Sequence, residues 1–582
     1  MSDKKSLDIP MKDISPESLT TTKTSSIDEE EKEPSVWRNF ADSFKPPVRH
    51  HKSSSSSASD LEDRPSQFES EVVPVMEQGL KKRQLQMMAL SGCVGSGLLV
   101  ASGIALKNGG PAALLLAWAI VSTFLYCTMQ SLAELSSMYK ASGSFAAFSI
   151  RFIDPSWGTA MGLNYALFWI IVNPLELVAS SMTISFWPSH INTVVWVAVF
   201  YVLIFGLNLF GGVRGFGETE FIAGIIKLLG VVGFNILAII LICGGGDQGY
   251  IGGKNWHPAF TTAKGTISCL LTATYSLAGT ELVGLTSGEI KESRKVLPKA
   301  IKQVVWRIII FYLLTLTLIG FLVPASSDEL LGGGGGASAS PFVIAIRQGG
   351  IKVLPSIFNV VVLVALLAIA NSAVYGYSRT MFGLAEEGVV PKIFKYVDRK
   401  GRPLFGIATA AIIGLLGFVS ASKHQDEVFA WLVALSGLST LFTWGSINGA
   451  YIRFRGAMAA QGRSLDEIPY KSNTGVWGAY YGLIMNIAVL GLQFWLALFP
   501  LGGKPKAKDF FQTYLAAVIV LALYIIHKVW TKNWRWVVPY EEIDLDLGRT
   551  DVDMDTLKQE IIEEKERLSA KPWYYRWYQF WC

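Results

Sequence analysis

Charge is what this chain of 582 residues has least of. Asp, Glu, Lys and Arg make up 17% of it, against 51% hydrophobic and 12% aromatic residues. That balance excludes an ordinary soluble enzyme and an unfolded chain. The net charge of +5 is small and the basic residues lie in short loops, so there is no nucleic-acid signature. Cysteine is scarce as well. Cys93, Cys127, Cys243 and Cys269 fall in or at the ends of apolar segments and Cys582 at the end of the chain, with no CxxC and no His-rich partner. Neither a disulfide framework nor a metal site is suggested. A phosphate-cradling loop and a nucleophile constellation are also missing, so the sequence points to no enzyme and no cofactor. The first 84 residues lack a secretory signal pattern, because they are polar and the first apolar run comes late and is long.

What is present is a succession of apolar runs, each long enough to cross ~30 Å of hydrocarbon. They fall at about 85–106, 111–138, 159–187, 193–212, 219–243, 265–289, 301–324, 353–378, 404–421, 427–450, 475–500 and 510–530. The expectation is an all-α integral membrane protein of about twelve spans. Residues 1–80, with Ser53 to Ser57 and acidic Asp28 to Glu31, read as a disordered tail. Residues 81–530 form the membrane domain and 531–582 a second tail. In that tail Met554, Leu557, Ile561 and Leu568 recur at helical spacing. The aromatic end, Trp573 to Trp581, suits a membrane interface. Loops such as Lys291 to Lys302 and Lys392 to Arg402 are basic, which puts both termini in the cytoplasm by the positive-inside rule.

Two stretches interrupt the apolar runs. Ser91-Gly92-Cys93-Val94-Gly95-Ser96-Gly97 holds three glycines and two serines, poor material for a helix. Irregular backbone survives at membrane depth only where protein buries it or a cavity needs it. The stretch therefore reads as a helix break whose amides form an anion site; close helix packing through small residues is the alternative. Tyr275-Ser276-Leu277-Ala278-Gly279-Thr280-Glu281 breaks the sixth run in the same manner. The first and sixth runs hold equivalent places in two five-span halves, and because five is odd the halves are inverted. Paired breaks in inverted halves point to a transporter site at the midplane.

Ionisable residues inside the runs are functional candidates, since charge in lipid is costly. Lys227 lies roughly 13 Å into the fifth run at a 1.5 Å rise per residue, and Glu281 at similar depth in the sixth. Glu176 lies in the third and Glu134 near the end of the second. Each could exchange a proton, or form a fixed ion pair or cap broken-helix amides.

In combination these residues resemble a known family. Gly95-Ser96-Gly97-Leu98 with Ser102-Gly103, Gln130 to Leu135, Pro174-Leu175-Glu176-Leu177 and Gly279 to Gly284 look like motifs of the fungal plasma-membrane amino-acid permeases, close to the general amino-acid permeases. So do Asn371-Ser372-Ala373 with Ser378-Arg379-Thr380, Val397 to Pro403 and the terminal Phe580-Trp581-Cys582. The family belongs to the amino acid–polyamine–organocation superfamily, and the likeness runs from Lys81 to Cys582. It departs in the first break, where the family usually has Gly-Gly-Thr-Ile-Gly-Thr-Gly.

The resemblance implies a five-plus-five inverted repeat with broken helices 1 and 6, importing a broad range of L-amino acids with a proton by alternating access. The substrate carboxylate would sit on the amides of Ser96 and Gly97, helped by Ser91 or Ser96. The amino group would meet carbonyls of Tyr275, Leu277 and Ala278, with Tyr275 a gate and Asn371 and Ser372 lining the pocket. Lys227 would stand where sodium sits in sodium-coupled relatives, with Glu281, Glu134 and Glu176 as further proton-coupling candidates. The tails would carry Cys582 for palmitoylation, Lys4, Lys5 and Lys12 for ubiquitin ligase and endocytosis, and Asp544-Leu545-Asp546 and Asp551-Val552-Asp553 for export from the endoplasmic reticulum. Partners would be L-amino acids, protons and membrane lipids, and no nucleic acid. The rival readings are a non-transporting amino-acid sensor and a transporter of polyamines or other organic cations.

Overall fold

The structure, a computed structural model, describes residues 43–45, 80–92, 94–139, 145–188, 190–286, 300–301, 304, 307–331, 340–421, 425–501, 503, 505–549 and 554–576. The chain divides into two units, 1–44 and 45–582. Of the first only Ser43 and Phe44 are described, in a turn.

The second unit is helical. Its helices are α1 (Lys82–Ser91), α2 (Ser102–Gly109), α3 (Pro111–Met138), α4 (Phe145–Phe152), α5 (Pro155–Ile184), α6 (Thr193–Ile242), α7 (Ala263–Leu277) and α8 (Leu282–Leu285). They continue as α9 (Thr315–Leu322), α10 (Pro341–Gln348), α11 (Leu354–Glu386), α12 (Leu404–Gly414), α13 (Gln425–Ala460), α14 (Gly475–Leu498), α15 (Ala507–Thr531) and α16 (Met554–Ser569). Among the described residues six helices are long and apolar enough to cross a membrane: α3, α5, α6, α11, α14 and the Thr513–Thr531 part of α15. The chain is an all-α, multi-pass membrane protein.

Two expected spans, 193–212 and 219–243, run together as the 50-residue α6. At a 1.5 Å rise its length is about 75 Å, enough for two crossings. Gly212 divides it with φ 55° and ψ −154°, a backbone state closed to residues with a Cβ. The short helix α4 was not expected. Eight residues are too few to register as a span, and its aromatic face is buried through Phe145, Phe148 and Phe152.

Burial separates the inside of the bundle from its lipid-facing surface. The apolar window of α5 is 83% buried, and that of Thr513–Thr531 is 17% buried. Exposed apolar side chains such as Val202, Ile222, Leu229 and Ile236 stud α6. In water that surface would be a liability; in a bilayer it is the natural outer face. The interior helix α5 packs most extensively against α11. It also buries Asn164, Asn173, Glu176, Ser180 and Ser181. A central helix rich in buried polar groups is where a polar site belongs.

After α15 the chain returns across one face of the bundle. Tyr139 Oη donates to the Leu545 carbonyl at 2.9 Å, Gln461 to the Tyr540 and Ile543 carbonyls at 2.8 Å each, and Arg453 to the Val538 carbonyl. Asp546 pairs with Arg463 at 2.8 Å, and Arg549 with Glu467 at 2.7 Å. Both acids are held below the usual carboxylate range, in each case chiefly by the hydrogen bond from Arg463. Asp544 caps its own turn, accepting from the Asp546 and Leu547 amides at 2.9 Å, and these amides lower its pKa as well.

Candidate substrate site between two helix breaks

The first break falls where the glycines and serines are. Helix α1 stops at Ser91, and a new half-helix starts at Ser96 with a π-type stretch, Gly97–Ala101. Its first backbone hydrogen bond runs from the Leu99 amide to the Gly95 carbonyl at 2.9 Å. The amides of Ser96 and Gly97 precede that bond and so have no partner within the half-helix. In the second break α7 ends at Leu277, Ala278 turns extended (φ −60°, ψ 151°) and Gly279 takes φ 84°. The Tyr275 carbonyl accepts from the Ala278 amide at 3.2 Å and the Leu277 carbonyl from Thr280 Oγ1 at 2.7 Å. Each keeps one lone pair for another donor.

The breaks meet each other directly. A Cβ on Gly97 would lie 2.3 Å from Ser276 Cα, so the absence of a side chain there permits the contact. Ser96 Oγ donates to Glu176 Oε1 at 2.6 Å and lies 3.0 Å from Tyr275 Oη, which is 3.4 Å from the same carboxylate oxygen. One hydroxyl thus ties both breaks to α5. Between them is a small, partly open cavity, lined by Gly92, Ser96, Gly97, Glu176, Tyr275, Ser276, Ala278, Gly279 and Ser372 on its polar parts. Phe168, Trp169, Val172, Leu282 and Ile369 form the rest of its wall. Glu176 Oε2, Trp169 Nε1 and Ser276 Oγ are buried there and find no hydrogen-bond partner among the described residues. Three such atoms around one cavity suit a polar ligand. The two helix ends supply opposite partial charges, positive at the Ser96 amides and negative at the carbonyls that end α7.

The sequence model of the amino acid permease family matches residues 84–539. The chain belongs to the amino acid permease family. It is 72% identical to amino-acid permease GAP6 of Candida albicans, covering 99% of this chain and all of that one. It is 50% identical to general amino-acid permease GAP2 of the same species, over 90% of this chain and 91% of the relative. With general amino-acid permease GAP1 of Saccharomyces cerevisiae the identity is 49%, over 94% and 92%. These relatives are transporters, not enzymes. Among solved structures a manganese transporter of Eremococcus coleocola aligns with a TM-score of 0.49 at 14% identity, covering 80% of this chain and 98% of its own. That overlap is too loose to argue from.

Within the permease the candidate residues divide into four groups. Ser96, Gly97, Tyr275, Ala278, Ser372 and Glu176 line the cavity. Ser91, Leu277 and Asn371 lie in the neighbouring turns but not in its wall. Lys227 is fully buried behind the first break, its ammonium 3.4 Å from the Ser91 carbonyl. A cation there faces the negative end of α1. Glu281 and Glu134 are held elsewhere. Glu281 accepts from Trp444 Nε1 at 3.1 Å and from the Gly279 amide at 3.2 Å, bracing the second break against α13. Glu134 accepts from Tyr451 Oη at 2.8 Å and the Ser472 amide at 2.7 Å, with Arg455 at 3.3 Å, joining α3 to α13.

Sequence reasoning missed Glu220 and Arg307. Arg307 is buried and donates to Thr280 Oγ1 at 2.8 Å, beside the second break. Glu220 is buried and accepts from Ser372 Oγ at 3.1 Å. The available signal was its spacing, seven residues before Lys227, which puts both on one helix face. Cys93, Cys582, Lys4, Lys5, Lys12 and Asp551-Val552-Asp553 lie outside the described residues.

Proposed function

We propose that this permease imports L-amino acids together with protons across the plasma membrane by alternating access, over a broad range of side chains. The observation that carries the reading is the facing of two helix ends across one cavity. The Ser96 and Gly97 amides suit a carboxylate, and the chain-end carbonyls of α7 with Glu176 suit an ammonium. Both charged ends of an amino acid are then read largely by backbone. The side chain meets a mostly apolar wall, which supports breadth rather than a single substrate. Similarity to general amino-acid permeases favours the same conclusion.

Lys227 and Glu176 are the groups to which we assign the proton, with Glu281 and Glu134 as supporting acids. Both termini are cytoplasmic on this reading. The tails carry the palmitoylation, ubiquitin-ligase and export functions, and the protein cycles through the endoplasmic reticulum and endosomes. A sensor that binds without transporting is the rival.

Uptake of a mixed panel of radiolabelled L-amino acids into cells lacking their own permeases, at pH 5 and pH 7.5, separates these readings. Faster uptake at acid pH across chemically varied side chains supports a broad proton symporter. Binding without uptake, by protein shown to be at the surface, overturns transport. A panel with amino-acid esters and decarboxylated analogues adds a second arm. Their acceptance on equal terms overturns the carboxylate role of Ser96 and Gly97.

A further inference from the structure

Three ionisable side chains are buried at or near the cavity: Glu176 of α5 in its wall, and, on α6, Glu220 against Ser372 and Lys227 against the Ser91 carbonyl. Lys227 attracts both carboxylates. Glu220 and Lys227 are seven residues apart, about 10 Å along one face of α6 at a 1.5 Å rise. Glu220 reaches the cavity through Ser372, which donates to it at 3.1 Å and also lines the cavity wall. The neighbouring Asn371 amide oxygen accepts from Asn208 Nδ2 at 2.9 Å, extending the polar chain away from the substrate.

Counting charge across this trio gives one ammonium and two carboxylates, a net of one negative charge in a buried place. An uncompensated buried charge is costly. A zwitterionic amino acid adds no net charge, so it cannot cancel the excess; one proton can. The proton then belongs to the coupled trio rather than to a single residue.

We propose that Glu220 is a coupling residue of this site. As the second carboxylate facing Lys227, it creates the excess charge that makes closure over a substrate require a proton. This rests on the symport reading above. The other titratable or charged groups on elements packed against α6 do not replace it. Arg83 on α1 is paired with exposed Glu218 at 2.6 Å. Arg379 on α11 lies over the Tyr375 ring at 4.0 Å, and that ring stacks on Phe216 at 3.9 Å. Tyr165 is on α5, Tyr377 and Glu386 are on α11, and Tyr312 donates to the Ser276 carbonyl at 3.2 Å. Arg214 is on α6 itself, and buried Arg402, which donates to the Leu209 carbonyl of α6, is paired with Asp398 at 2.5 Å. Helices α9 and α12 bring no charged side chain. Lys227 is the cation that acts on Glu220.

The test is uptake per surface molecule at pH 5 and pH 7.5 in the full-length chain, for wild type, Glu220→Gln and the exposed control Glu218→Gln. With Glu220 neutral, Lys227 and Glu176 already balance. The acid-to-neutral uptake ratio should fall to near one, whereas Glu218→Gln keeps the wild-type ratio. A merely structural role would lower uptake at both pH values and leave the ratio intact, and that result overturns the proposal. Should Glu220→Gln fail to reach the surface, Lys227→Met and the double variant decide. Lys227→Met raises the excess to two charges and the double variant returns it to one. The double should therefore recover about tenfold or more of the uptake lost in Lys227→Met; no recovery overturns the proposal. A wild type without acid stimulation overturns symport itself and the inference with it. Stimulation retained in Glu220→Gln overturns the inference alone.

Discussion

Gly97→Ala is the sharpest perturbation of the contact between the two breaks. The added Cβ would lie 2.3 Å from Ser276 Cα, 2.8 Å from Ser276 Cβ and 3.1 Å from Ser276 N. Ordinary contact begins near 3.4 Å, so the breaks must part by about 1 Å, and two of the three atoms in the way are backbone. Overpacking of this kind costs about 1–3 kcal/mol. If that cost falls on the closed, substrate-holding state, transport drops about 5- to 150-fold. Two glycines serve as comparisons. A Cβ on Gly95 meets the flexible tip of Ile369, and one on Gly233 meets nothing within 4 Å. Gly95→Ala should therefore fall between, and Gly233→Ala should match wild type within about twofold, helped by alanine's better helix propensity. The assay is initial uptake against substrate concentration, normalised to surface protein, with the melting temperature of the purified permease alongside. Wild-type KM and maximal rate in Gly97→Ala would refute the reasoning. So would a loss of surface protein with unchanged uptake per molecule.

Other outcomes follow from the same coordinates. Glu134→Gln leaves Arg455 without its counter-charge between α3 and α13, so stability should fall by about 3 kcal/mol. A thermal shift of the purified protein reads this. Tyr275→Phe removes the hydroxyl beside Ser96 and Glu176; at about 0.5–1.5 kcal/mol per hydrogen bond, KM should rise about 2- to 12-fold. A larger loss of maximal rate than of affinity would count against it. The return segment around Asp546 should loosen in acid. Asp546 and Glu467 have depressed pKa values, so their contribution is complete above the ordinary carboxylate range and fades as pH falls through their folded values. Limited proteolysis of the purified protein at pH 7 and pH 3.5 should show cleavage after α15 rising in acid. In Arg463→Ala it should already be raised at pH 7.

The breaks were legible because glycine and serine stand out against an apolar background, and because two such interruptions fall in matching places. Their facing across one cavity is what that pattern implies. Glu220 was not legible, since a carboxylate in the first turn of an expected span passes for a wet helix end. Its burial comes from tertiary packing, with Ser372 of α11 donating to it. Glu176 was visible as a buried charge, but no spacing rule joins it to Ser96, eighty residues earlier. The joint at Gly212 was legible for a reason similar to that of the breaks: glycines with Arg214 and Glu218 interrupt the apolar background, which ends one expected span at 212 and starts the next at 219. The docking of residues 538–549 escaped because many of its hydrogen bonds go to backbone carbonyls, and its ion pairs to Arg463 and Glu467 join residues too far apart in the chain for any spacing rule.

The bond between Ser96 and Tyr275 spans 179 residues of chain. During synthesis, the first break is therefore complete long before its partner exists, and no fragment ending ahead of the second break can form the proposed site. Bringing such distant segments together carries a loop-closure cost that only later contacts repay. Ligand binding then becomes a report on finished assembly. On the proposed function, an amino acid that bridged the breaks would stabilise the assembled protein by mass action, so nutrient supply in the cell would act on how long the mature protein survives as well as on how fast it works.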